Sequence, residues 1–115
     1  MSGMFINCIS LTSLIISNFN TSNVVFMNSM FRNCISLKNL NLNNFVGTKI
    51  EFIESMFENC ENLTSLDLPN FDANPKNMFS LFKNSYSIEC INIPKIKTDF
   101  ITNALSIFEN CYSLR

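Results

Sequence analysis

A run Met-Phe-x-Asn-Cys occurs at Met4-Phe5-Ile6-Asn7-Cys8, at Met30-Phe31-Arg32-Asn33-Cys34 and at Met56-Phe57-Glu58-Asn59-Cys60. It returns as Leu81-Phe82-Lys83-Asn84-Ser85 and starts again as Ile107-Phe108-Glu109-Asn110-Cys111. This spacing of 25 or 26 residues constrains the fold more than any other feature of the chain. One such unit has too little apolar surface to enclose a core, so successive units must stack and bury their faces against each other.

Three residues after each Cys or Ser comes an apolar pattern, L-x-x-L-x-L-x-x-F. Its copies are Leu11, Leu14, Ile16, Phe19; Leu37, Leu40, Leu42, Phe45; Leu63, Leu66, Leu68, Phe71; and Ile88, Ile91, Ile93, Ile96. The central alternation predicts a short strand with one buried face. Spacing of three and four follows, in Val24, Met27, Met30, Phe31, Cys34 and in Ile50, Ile53, Met56, Phe57, Cys60. That stripe predicts a short amphipathic helix, capped by Thr21 or Ser22 in the first copy and admitting Pro75 to its first turn in the fourth.

The expected fold class is therefore α/β. It is a leucine-rich-repeat solenoid of about four and a half coils, each with one short parallel strand and one short helix. Residues 1–115 form a single segment, with repeats starting near Met4, Met30, Met56, Leu81 and Ile107. Met1 corresponds to Met27 and Leu114-Arg115 to the approach of a further strand, so a fragment of a longer array is expected, able to associate end to end through uncapped coils.

Apolar residues make up 47% of the chain, ample for a core, while the formal charge of −1 gives no reason to attract nucleic acid or an anionic membrane. No apolar run reaches the roughly 18 to 20 residues of a transmembrane helix. Glycine occurs twice and proline three times, against 19 asparagines, and Asn can supply the left-handed bends that Gly otherwise provides. The chain has no His, no phosphate-binding glycine loop and no Ser or Cys with an evident base, so an enzyme is not expected. No cofactor or metal is expected either.

Cys8, Cys34, Cys60 and Cys111, with Ser85, occupy one repeat position. A row at coil spacing cannot converge four thiolates on a tetrahedral zinc, so buried apolar thiols are expected. Adjacent positions in the row, roughly 5 Å apart, leave a Cys8–Cys34 or a Cys34–Cys60 disulfide geometrically open. Cys90 lies outside the row, on a strand. The Asn row, Asn7, Asn33, Asn59, Asn84 and Asn110, reads as a side-chain ladder satisfying backbone groups at a bend. Glu51, Glu54, Glu58 and Glu61 have helical spacing and read as a solvated helix face.

These residues resemble the BspA-like leucine-rich-repeat surface proteins, whose unit runs approximately M-F-x-x-C-x-S-L-T-S-L-D-L-S-N-F-D-T-S-N-V-x-x-M. The match is close in Met30 to Leu42, in Met56 to Asp72 and in Ser17 to Val24, and the fourth repeat departs most. The resemblance implies a curved solenoid, a cell-surface or secreted location, binding of host or matrix proteins, and no catalytic residues.

Two functions are expected from different classes. In the first, the chain is a non-catalytic protein-binding or adhesion-type module using its strand face, through the outward positions Ser13, Ile15, Ser17, Asn39, Asn41, Asn43, Ser65, Asp67, Pro69 and Asn92, flanked by Cys90 and Pro94. In the second, it is a purely structural spacer within a larger repeat protein. The partner in the first is a protein, and the small polar character of those positions does not name it.

Overall fold

A computed structural model describes all 115 residues, and in it the repeat units stack in register. The strands are β1 (Ser13–Leu14), β2 (Asn39–Leu40), β3 (Ser65–Asp67) and β4 (Cys90–Asn92), one in each apolar pattern. β1 pairs with β2 and β3 with β4, both parallel, giving two separate two-stranded sheets. Half a repeat further along, single parallel bridges join Phe26 to Phe52, Phe52 to Asn77 and Asn77 to Asn103.

No helix forms, so the expected α/β leucine-rich-repeat solenoid with a helix in each coil is overturned and the fold is β-type. Its physical cause lies in the backbone of the segments with helical spacing. Ser29 and Asn33 have φ of 58° and 61°, and the pattern recurs at Ser55 and Asn59, Ser80 and Asn84, and Ser106 and Asn110, with Gly3 and Asn7 in the first copy. A right-handed helix cannot carry a left-handed residue at every fourth position. Each such residue instead occupies the third place of a turn, where a positive φ is required, as in the bonds from Met30 N–H to the Met27 carbonyl and from Cys34 N–H to the Phe31 carbonyl.

The intervening N–H groups point to the next unit. Ser29, Phe31 and Asn33 donate to the carbonyls of Glu54, Met56 and Glu58 at 3.0, 3.0 and 2.9 Å. Ser55, Phe57 and Asn59 repeat these rungs on Phe79, Leu81 and Lys83. Turn closure and rung thus alternate along the chain, and apolar residues three and four apart face inward because the turns have that length.

Other features expected of a helix are corrected with it. Thr21 caps no helix; it is buried, its hydroxyl donates to the Val46 carbonyl at 2.8 Å and it accepts from the Val46 N–H at 2.9 Å. Pro75 lies in a segment with no helix to start. The glutamates form no helical face: Glu58 pairs with Arg32 of the preceding unit at 3.0 Å, and Glu51 with Lys76 of the following one.

The core runs down the stack. Phe31, Phe57 and Phe82 are fully buried, with ring centroids 5.5 and 5.4 Å apart and nearly parallel planes. Each contributes about 1.5–3 kcal/mol by burial alone. Met27, Met30 and Met56 are equally buried and belong to this core, not to a surface groove. Units approach closely at Gly47, where an added Cβ would lie 2.7 Å from the Ala73 backbone nitrogen.

Candidate partner-binding face

Period-two alternation turns Leu14, Leu40, Leu66 and Ile91 inward, and the flanking Ser13, Asn39, Ser65, Cys90, Asp67 and Asn92 outward. Two rows behind the strands hold their spacing. In the first, the Nδ2 of Asn33, Asn59, Asn84 and Asn110 donates to the Oδ1 of the preceding Asn at 2.6, 2.5, 2.8 and 2.7 Å. The ladder therefore runs from side chain to side chain, while the backbone of these residues supplies the left-handed turn and, in Asn33, Asn59 and Asn84, a rung to the next unit.

In the second row, the Sγ of Cys34, Cys60 and Cys111 donates to the carbonyls of Phe5, Phe31 and Phe82 at 3.2, 3.2 and 3.0 Å. Ser85 keeps the contact, its Oγ lying 2.9 Å from the Phe57 carbonyl. All five cysteines are free thiols. Burial, reinforced by the neighbouring Cys8, pushes the Cys34 thiol up to about 11, and burial raises Cys60 and Cys111 as well.

Of the outward positions, Asn39, Asn41, Asn43, Ser65 and Asp67 are gathered with Leu40 around one shallow depression of about 290 Å³. It sits where the ladder breaks between β2 and β3. The Lys38 and Glu89 N–H groups donate to the Thr12 and Thr64 carbonyls at 3.1 and 2.8 Å, whereas the Thr64 N–H, at the equivalent place between β2 and β3, has no backbone acceptor. Asp67 is the only charged residue around the depression, and the Asn92 amide donates to it at 2.8 Å. Asn41 accepts from the Asn43 N–H at 3.0 Å.

Ser13, Ile15 and Ser17 are exposed on the first unit and do not line the depression, while Pro69 is half-buried. Ile15 is 90% exposed, an apolar side chain at the margin of a polar face. Sequence reasoning missed a second surface feature: Phe26 stacks on Phe52 with centroids 4.9 Å apart, and the Lys76 ammonium stands 5.9 Å from the Phe52 ring. The signal was available, because both rings fall outside the buried stripe.

Residues 1–89 match the model of a family described as Mycoplasma protein of unknown function, DUF285. The chain belongs to that family. The DUF285 match covers β1, β2 and β3 and ends just before β4, yet residues 90–115 continue the same rungs, with Phe82 and Asn84 donating to Ile107 and Glu109. No curated protein and no solved structure matches the chain. No helix is long and apolar enough to cross a membrane.

Proposed function

We propose that this DUF285 chain is a non-catalytic protein-binding module of the BspA-like kind, engaging its partner through the outward strand face. The observation that carries the reading is the depression between β2 and β3, where Asn39, Asn41, Asn43, Ser65 and Asp67 converge beside an interrupted ladder. Amides, a hydroxyl and one carboxylate offer hydrogen bonds to a polypeptide surface but no nucleophile with a base beside it. Ile15 adds an exposed apolar anchor of the kind that protein interfaces desolvate.

The similarity of the repeat unit to BspA-like surface proteins supports host or matrix proteins as the partner class and a cell-surface or secreted location. The test is binding of the immobilised chain to a panel of purified matrix proteins, measured for the wild type and for Asp67→Lys, Asn41→Lys and Lys49→Glu. The reading expects capture of a panel member that is lost in the first two variants and kept in the third, which lies away from the strand face. Capture that ignores the strand-face variants, or no capture at all, contradicts it and favours the spacer role.

A further inference from the structure

The junction between β2 and β3 is closed on one side of the stack and open on the other. On the turn side, Ser29, Phe31 and Asn33 donate to the carbonyls of Glu54, Met56 and Glu58 at 3.0, 3.0 and 2.9 Å. On the strand side β2 and β3 do not pair, although β1 pairs with β2 and β3 with β4. The depression of about 290 Å³ lies in that opening, with a paired junction on either side of it. Backbone pairing, not the rotamer of one side chain, therefore sets its place.

The polar groups around the depression are largely unused. The side chains of Asn39, Asn43 and Ser65 make no hydrogen bond within the chain, and Asn41 uses only its oxygen, on the Asn43 N–H. Asp67 stands between two asparagines of one row, Asn41 and Asn92. Asn92, its register partner, donates to Oδ1 at 2.8 Å, whereas Asn41 makes no such bond across the open junction. The second carboxylate oxygen is left without a donor. Asp67 also pairs with no cation, although Glu51, Glu58, Glu89 and Glu109 each do.

One carboxylate oxygen and the amide oxygens of Asn39 and Asn43 call for a cation that carries several donors at once. A guanidinium fits that need, because it stays charged and spreads its N–H groups over a rigid plane. An ammonium is compact and strongly hydrated, and a shallow opening does not strip its water. A calcium ion takes about six to eight oxygens with more carboxylate among them than a single aspartate supplies. We infer that an arginine side chain of the partner protein seats in this depression, its guanidinium donating to the free oxygen of Asp67 and to the amide oxygens of Asn39 and Asn43. The inference rests on the strand face being the partner-binding surface, and it specifies the residue type that the partner presents there.

The test is a titration of the full, isotopically labelled chain with the capped peptide acetyl-Gly-Arg-Gly-amide, followed by backbone amide shifts in NMR. Saturable shifts are expected over residues 39–43 and 64–67. The citrulline peptide, which keeps the shape and lacks the charge, and the lysine peptide are each expected to bind about tenfold more weakly. Asp67→Asn keeps an acceptor for Asn92 and removes only the charge, and it is expected to weaken the arginine peptide about tenfold. Glu61→Gln removes an equal charge outside the depression and is expected to change nothing. Absence of saturable shifts, equal binding of the citrulline or the lysine peptide, or binding that Asp67→Asn leaves intact overturns the inference. Calcium chloride that shifts these residues when the arginine peptide does not overturns it in favour of a metal ion.

Failure of the partner reading is distinguishable from failure of the arginine seat. A matrix protein still captured after its arginines are converted to citrulline, yet lost in Asn41→Lys, overturns the seat and leaves the strand face as the binding surface. A chain that binds the arginine peptide through Asp67 but captures no matrix protein supports the seat and removes that partner class.

Discussion

The Sγ of Cys60 donates to the carbonyl of Phe31, 29 residues earlier, at 3.2 Å, and the Oγ of Ser85 makes the same bond to Phe57 at 2.9 Å. The row position thus calls for a small buried donor, which either side chain supplies. Cys60→Ser is therefore expected to stay closer to the wild type than Cys60→Ala, by about 1 kcal/mol in urea denaturation, because only the alanine leaves the row without its bond. An alanine variant as stable as the serine one would show that the contact contributes nothing.

The same row makes stability depend on alkaline pH. The folded chain holds the Cys34 proton more tightly than the unfolded chain, with the thiol pushed from 9.0 to about 11 by burial first and by Cys8 second. Cys60 is raised further for the same reason. Stability from this source is complete below the ordinary thiol value and is lost as the pH rises through the window between 9.0 and about 11. Denaturation midpoints measured across that window should fall for the wild type and fall less for a Cys34→Ser, Cys60→Ser double variant. Equal slopes in the two would remove the thiols as the cause.

Asn59 has φ of 59°, donates to Asn33 and accepts from Asn84. Replacement by Gly removes both ladder bonds but keeps the left-handed turn, whereas Ala removes the bonds and strains the turn as well. Asn59→Ala is expected to be less stable than Asn59→Gly by about 1 kcal/mol. A helix at this position would give the opposite order, since Gly is worse than Ala by about 1 kcal/mol in a helix interior.

Gly47→Ala tests the close approach of two units. Its Cβ would meet the Ala73 nitrogen at 2.7 Å and the Ala73 Cβ at 2.9 Å, so the backbones must separate. A loss of about 1–3 kcal/mol is expected by thermal or urea unfolding. Ala73→Gly added to it should restore only part of the loss, because the backbone nitrogen stays in place.

The stacking and the strand positions were legible in the sequence because a repeat puts identical residues in one row. Leu14, Leu40, Leu66 and Ile91 take the inward places that their alternation predicts. The helix was misread because apolar residues three and four apart satisfy a helix and a run of turns equally well. What separates the two is the pair of left-handed positions four residues apart, and Gly3, aligned with Ser29, Ser55, Ser80 and Ser106, is the residue that signals it. The Asn row was visible, but its pairing was not, since sequence spacing does not say whether an amide meets backbone or another amide. The gathering of Asn39, Asn41, Asn43, Ser65 and Asp67 lies where β2 and β3 do not pair, and no residue type in that segment marks a break.

Alternating turns and rungs, not helices, build each unit, and the partner of the Phe31 N–H distinguishes the two. Hydrogen-bond scalar couplings measured by NMR on isotopically labelled chain report which carbonyl accepts from a given N–H. The structure predicts a coupling from the Phe31 nitrogen to the carbonyl carbon of Met56, 25 residues away across the junction. A coupling from Phe31 to Met27, the residue four positions back that a helix would use, would contradict the account.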